Sequence, residues 1–172
     1  MINQHNFEVG PIHKCQICNS SDIKKVMDFG YQPLADDLIS FKEKSRKTIF
    51  YPLEVFLCSK CILLQTGYIV GDKTLYSKNY HYLPGISKAV IDNFKDLSFN
   101  LKKIYNLDNS SVVVDVGCND GSLLNEFKNL GIEKVLGVEP TDTFKYANKK
   151  KIKTINDFFN LKSSSKVKKV YG

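Results

Sequence analysis

Two cysteine pairs of identical spacing, Cys15-Gln16-Ile17-Cys18 and Cys58-Ser59-Lys60-Cys61, hold four of the five cysteines in the chain. A tight turn between residues i and i+3 can aim both sulfurs of such a pair at one ion. Two pairs then give the closed four-thiolate tetrahedron of a structural zinc. With no ligand position left open, zinc held by Cys15, Cys18, Cys58 and Cys61 would fold the surrounding module and perform no chemistry. The pairs are separated by 39 residues, more than the roughly 15–20 of compact zinc ribbons, but room enough for a hairpin and a loop. The competing reading is a set of buried free thiols or a redox dithiol. A redox pair usually opens a helix beside a βαβ pattern, and neither pair here does.

The second candidate is the segment Val112-Val113-Val114-Asp115-Val116-Gly117-Cys118-Asn119-Asp120-Gly121. It has the form of a strand, a glycine-punctuated loop and a helix start. Gly117 permits a tight turn and close approach of backbone to a ligand, and Gly121 does the same where the helix begins. Glu139 follows Gly117 by 22 residues, at the end of the next expected strand, where an acid can accept hydrogen bonds from the hydroxyls of an adenosine ribose. The G-x-G-x-x-G of a dinucleotide site is absent, so no helix N-terminus is prepared for a pyrophosphate. Asp115 and Asp120 also disfavour a pyrophosphate but suit a cationic sulfonium with an amino group. The charges therefore favour S-adenosylmethionine over a nicotinamide dinucleotide. The plainer alternative is a βαβ corner whose glycines only close the turn.

Weaker candidates surround this loop. Asp157 and Phe158, after a third short strand, could accept from an adenine amino group and lie against the base, although Phe158 and Phe159 also suit a core. Tyr80 and Tyr82 flank His81 ahead of a long helix. Their phenols could orient a substrate or shield a sulfonium, or could simply pack with their hydroxyls satisfied. Cys118 reads as a small loop residue beside the ligand, with nothing near it that marks a nucleophile.

These residues need elements to position them. Ile23 to Phe29 is expected as a strand ended by Gly30, and Leu53 to Leu57 as a second strand running into Cys58. Residues 41–49 read as a polar loop. Ile86, Val90, Ile91, Phe94, Leu97, Leu101, Ile104 and Tyr105 recur at spacings of mostly three and four, one apolar stripe on a helix. Val112 to Val116 reads as a strand buried on both faces. Helix at 122–130, strand at 134–138, helix at 142–150 and strand at 153–155 complete a βαβαβ order, which implies a parallel sheet with right-handed crossovers. The expected organisation is a zinc-binding module over 1–72, a tyrosine-rich connector and amphipathic helix over 73–107, and the first βαβαβ units of an α/β domain over 108–172. The fold class is α+β: a small β-rich zinc-binding module followed by a truncated Rossmann-like α/β domain.

Composition narrows the classes further. The 172 residues are 42% hydrophobic and carry a formal charge of +7. Residues 143–172 hold nine Lys against one acid, Asp157. Arg46 is the only arginine, and arginine is the usual bidentate reader of guanine and phosphate. A solvated lysine face is therefore expected, and a nucleic-acid partner is not. No apolar run nears the roughly 18 residues of a membrane span, and the first fourteen residues lack the apolar core of a signal peptide. A cytoplasmic protein with no membrane partner is expected.

Taken together the motifs resemble the sugar C-methyltransferases of deoxysugar biosynthesis, which carry an N-terminal zinc-binding domain. The resemblance rests on the first cysteine pair, G-Y-Q-P-L-A-D from Gly30 to Asp36, C-S-K-C-I-L-L-Q from Cys58 to Gln65, Tyr80-x-Tyr82, V-D-V-G-C-N-D-G from Val114 to Gly121, and G-V-E-P from Gly137 to Pro140. It implies structural zinc, S-adenosylmethionine, and methylation of the carbon beside the ketone of a nucleotide-linked 4-keto-6-deoxy sugar. A base removes the proton that the ketone acidifies, and the resulting enolate attacks the methyl group. It further implies that Asp115, Gly117, Asn119, Asp120 and Glu139 contact the cofactor, beside Cys118, Gly121 and Pro140 of the same motifs. Tyr82 and Tyr80 would lie near the sulfonium or the sugar. Such enzymes continue well past the length of this chain, and the resemblance places their catalytic residues in that later part. No catalytic residue is assigned here. A second polypeptide carrying the remainder is a possible partner, and the third strand is expected to form an unpaired apolar edge. The rival class is a zinc-binding scaffold without catalysis.

Overall fold

The computed structural model describes residues 8–43, 47–77 and 80–171. The chain divides into two compact units, Met1–Leu75 and Tyr76–Gly172. Of the connector and helix set apart by the sequence pattern, residues 73–75 fall in the first unit and the remainder in the second.

In the first unit, β1 (Gly10–Pro11) pairs antiparallel with β5 (Tyr68–Ile69), and β2 (Ile23–Pro33), β3 (Phe50–Cys58) and β4 (Leu64–Thr66) form an antiparallel sheet in that order. A short helix α1 (Asp72–Leu75) ends the unit. The register pairs Ile23 with Cys58. The start of β2 therefore lies beside the end of β3, and cysteine pairs far apart in sequence become neighbours. The expected break of β2 at Gly30 does not occur. The strand runs on to Pro33, with register shifts between Lys25 and Met27 and between Asp28 and Tyr31. These irregularities absorb the turn at Gly30, whose N–H is taken by Asp28 Oδ1 at 2.9 Å. Pro33 is tolerated because β2 is an edge strand, where a missing N–H loses no ladder bond. The polar segment after it includes a 3-10 turn at Phe41–Glu43.

In the second unit a 3-10 turn, Pro84–Ile86, leads into α2 (Lys88–Ile104), whose first turn is capped by Ser87 Oγ accepting from the Val90 N–H. Then follow β6 (Val112–Val116), α3 (Ser122–Asn129), β7 (Lys134–Val138), α4 (Phe144–Lys149), β8 (Thr154–Ile155) and α5 (Leu161–Tyr171). The sheet is parallel in the order β6-β7-β8. Its core is built from Cys118, Leu124, Phe127, Ile132, Val135, Ala147 and Ile152, with Leu101 of α2 and Val113 packed against it.

The expectation of a first strand buried on both faces is corrected here. The strand covered by protein is β7. In β6, Val112, Val114 and Val116 are 40%, 37% and 53% exposed: Val113 packs against the core on one face, while the alternate valines share the other face, which no described element covers. The third strand, β8, forms one edge of the sheet as expected, and the longer β6 forms the other; α5 packs against β7 and β8. The stripe on α2 is likewise only partly covered: Ile86, Leu97, Ile104 and Tyr105 are exposed. Helix α5 was not anticipated. Asn160 Oδ1 accepts from the N–H groups of Lys162 and Ser163, and Ser163 Oγ accepts from the Asn160 N–H, a reciprocal N-terminal cap. The end of the lysine-rich tail is therefore a helix. Among the described residues no helix is long and apolar enough to cross a membrane.

Candidate metal centre and cofactor loop

The two cysteine pairs adopt matching turns. Asn19 N–H donates to the Cys15 carbonyl and Ile62 N–H to the Cys58 carbonyl, while the Cys15 and Cys58 amides donate to the Ser20 and Leu63 carbonyls. In each, the residue after the second cysteine is left-handed: Asn19 at φ 57° and Ile62 at φ 61°. The register of β2 on β3 brings the four Sγ atoms within 4.8 Å of one another. Cys15 and Cys61 Sγ lie 3.5 Å apart, and Cys18 and Cys58 Sγ 3.6 Å. That is far beyond the roughly 2.05 Å of a disulfide. It is close to the ~3.8 Å edge of a tetrahedron with zinc–sulfur bonds of about 2.3 Å. The donor set and its spacing fit a structural zinc.

The electrostatics of the free thiols agree. The Cys18 amide draws the Cys15 thiol down to about 6, against the effect of burial. Cys61 is favoured as thiolate by the Leu63 amide, yet burial and hydrogen bonds with the other three sulfurs push it up to about 12. Four thiolates cannot crowd together without a cation, so metal binding must release protons. One further residue supports the first turn: Gln65 Oε1 accepts from the Gln16 N–H at 3.0 Å, while its buried Nε2 has no partner among the described residues. The apolar run before Gln65 carried no signal of this role, which depends on β4 lying beside β3.

In the second unit the loops after β6, β7 and β8 gather at the C-terminal edge of the sheet, where open α/β sheets bind ligands. The Gly117 and Cys118 amides donate to the Val138 carbonyl. Asn156 Nδ2 donates to the carbonyls of Glu139 (2.8 Å) and Thr141 (3.3 Å). Gly117 has φ 81°, and a Cβ there would meet nothing within 4 Å, so the space beside it is open. Gly121 differs: its Cβ would lie 2.9 Å from the Ala147 Cβ, so this glycine lets α4 pack against the loop.

Glu139 is 4% exposed and already well used. Its Oε2 accepts from the Asn119 N–H at 2.9 Å, and its Oε1 from the Thr141 N–H at 2.8 Å and hydroxyl at 2.6 Å. Of the roughly four acceptor positions of a carboxylate, one remains, on Oε2. Asp115 sits nearby. Burial, and then the charge of Glu139, hold its pKa above the usual carboxylate value. The same burial, with Asp115 and Glu139, pushes the Cys118 thiol up to about 12. Two crowded carboxylates at a sheet edge favour a cationic ligand. Asn119 adds a directional demand: its Nδ2 donates to the Tyr82 carbonyl at 2.9 Å, which fixes the amide orientation, and its buried Oδ1 has no partner among the described residues. An N–H or O–H donor from a ligand would satisfy it.

The remaining predicted residues divide. Asp120 is buried, and its carboxylate is engaged by Gly85 N–H, Ser122 N–H and Lys150 Nζ, so it is turned into the protein. Tyr82 is half exposed and tied to the loop through its carbonyl. Tyr80 lies with its ring centroid 5.9 Å from that of Tyr76. Pro140 is half-buried between Glu139 and Thr141. Asp157 is paired with Lys166 of α5 at 3.2 Å. Phe158 is half-buried, and its carbonyl accepts from Asn160 Nδ2 and Ser163 Oγ. Thr141, Asn156 and Lys150 were not singled out from the sequence, since each acts through a partner distant in the chain.

Residues 15–76 match a family of methyltransferase-associated domains described as "Putative zinc binding domain". Over 148 residues the chain is 28% identical to the C-methyltransferase NovU of Streptomyces niveus, covering 86% of this chain and 35% of that protein. The chain thus spans about a third of the length of this relative. Taken with the four-cysteine cluster and the parallel α/β portion, these similarities make the chain resemble the N-terminal part of the C-methyltransferase family.

Proposed function

We propose that this chain supplies the structural zinc module and the first half of the S-adenosylmethionine site of a C-methyltransferase acting on a nucleotide-linked keto-deoxysugar. The observation that carries the cofactor is the pairing of Asp115 and Glu139 beside the open space at Gly117, together with the unpartnered Asn119 Oδ1. When bound, S-adenosylmethionine provides an electrophilic methyl group. Asp115 would offset its positive charge, Asn119 would accept from a donor, and the free Oε2 position of Glu139 would take one ribose hydroxyl. A hold on both hydroxyls requires the Asn119 or Thr141 bond to Glu139 to yield. The sugar class rests on the motif resemblance, and the exposed Tyr82 faces no competing partner for its ring among the contacts described. The rest of the pocket, including the base, would come from further polypeptide, in the same chain or a second one. The unpaired edge of β6 supports this, as does the coverage of only 35% of the relative.

The test is calorimetric titration of the chain with S-adenosylhomocysteine and S-adenosylmethionine, with Asp115→Asn as the control. Saturable binding that Asp115→Asn weakens more for the sulfonium than for the neutral thioether supports the reading. A folded chain that binds neither refutes it for this segment. That result would favour the second reading, a zinc-binding scaffold, which the exposed apolar residues of β2 and β6 support.

A further inference from the structure

Residues 149–151 are three consecutive lysines, and only the middle one turns inward. Lys149 lies over the Tyr146 ring at 5.3 Å. Lys151 is exposed. Lys150, at the end of α4, places Nζ 3.1 Å from Asp120 Oδ2 and 2.7 Å from Ser122 Oγ. Asp120 and Ser122 are 4% and 2% exposed. A buried carboxylate needs a counter-charge and hydrogen bonds to stay ionised, and Lys150 supplies the only cation paired with it among the described residues. The same Oδ2 accepts from the Gly85 N–H at 3.1 Å. The adjoining loop residue, Asn119, holds the Tyr82 carbonyl. Two neighbouring loop residues thus fasten two backbone groups of the tyrosine segment. The fit at Gly85 is tight: a Cβ there would come within 2.3 Å of Asp120 Oδ2 and 2.6 Å of Ser122 Oγ.

We infer that Lys150 is a positioning residue which, through Asp120, clamps the Pro84–Gly85 turn and the tyrosine segment ahead of it onto the glycine loop. Asp120 therefore shapes the rim of the ligand site without touching the ligand. The clamp itself follows from these contacts; its consequence for a cofactor rests on the function proposed above.

The experiment is amide hydrogen exchange of the full chain, with S-adenosylhomocysteine titration alongside, for Lys150→Met, Lys150→Arg and Gly85→Ala. In Lys150→Met, exchange at residues 82–86 should rise about tenfold or more while that of β7 is unchanged, since a local opening leaves the core protected. Lys150→Arg should restore protection, and Gly85→Ala, which disturbs the clamp from the other side, should reproduce the loss. Unchanged exchange at 82–86 in Lys150→Met overturns the clamp, and so does an equal rise throughout the unit. If the clamp opens as expected but S-adenosylhomocysteine binding is unaltered, the clamp stands and its link to the ligand site is refuted. If the wild-type chain binds no such ligand, only the proposed function fails.

Discussion

Replacing Glu139 by alanine should destabilise the second unit strongly, before any ligand is considered. The carboxylate serves three donors: Asn119 N–H, Thr141 N–H and the Thr141 hydroxyl. The hydroxyl can fall back on Thr143 Oγ1, 2.7 Å away. The two amides cannot, and each buried donor left unpaired costs about 1–3 kcal/mol. The expected loss is therefore about 3 kcal/mol. For a unit of this size, Tyr76–Gly172, each kcal/mol lowers the melting temperature by roughly 4–8 °C, so the shift should be about 15 °C. Differential scanning calorimetry would measure it. Glu139→Gln should lie between, because the amide still accepts from Thr141 but turns an NH2 toward the Asn119 N–H. Asp115→Asn should have the opposite sign. Burial and Glu139 raise the pKa of Asp115 in the fold. The stability linked to its protonated form is thus present below the unfolded pKa and is lost as pH rises through the folded one. At neutral pH the ionised group is a burden that asparagine removes, even as it weakens a cationic ligand. A Glu139→Ala variant that melts within ~2 °C of wild type, in place of the shift of about 15 °C, would refute the reasoning that this residue is first a fastener of the loop. Loss of binding in that variant therefore says little about ribose contact, which is why Asp115→Asn is the sharper probe.

The metal centre makes its own predictions. The chain should hold one zinc, and chelation should unfold the module around residues 15–76 while leaving the exchange protection of β7 intact. Metal loss should also follow acidification, because protons compete for the four thiolates; a zinc content independent of pH down to about 4 would contradict a thiolate site. Ile62, β-branched, left-handed and 69% exposed, is expected to gain about 1 kcal/mol on replacement by asparagine, the residue at the matching Asn19 position. Chemical denaturation of the zinc-loaded protein measures it, and a loss of stability would refute the strain argument. Cys118, with its thiol raised from 9.0 to about 12, should alkylate about a thousandfold more slowly at pH 8 than an exposed cysteine. In the same linkage sense as above, the stability tied to its protonated thiol should be lost as pH rises above about 9. Rapid labelling of the native, zinc-loaded chain at Cys118, read by peptide mass mapping, would contradict that burial.

Much of the molecule is legible in its residues. Four thiols at two i, i+3 spacings specify a ligand set, because the tight turn between them is a local property of the chain. The alternation of apolar runs and glycine stops over 112–155 specifies a parallel βαβαβ order, since hydrophobic period and turn chemistry are both local. The position of Asp115, Gly117 and Glu139 at strand ends follows from the same pattern. What only the tertiary structure decided is how distant groups meet. The valine run of β6 has the composition of a strand buried on both faces, but burial depends on what packs over each face, and only the Val113 face meets the core. The tail helix α5 has too few apolar residues to announce itself; its Asn160–Ser163 cap and the Tyr171 hydroxyl on the Val135 carbonyl hold it in place. Asp120 has the look of a ligand-facing acid and is instead turned inward by Gly85 and Lys150, 35 and 30 residues away. A carboxylate's role is set by the donors it meets, and those donors come from parts of the chain that only folding brings together.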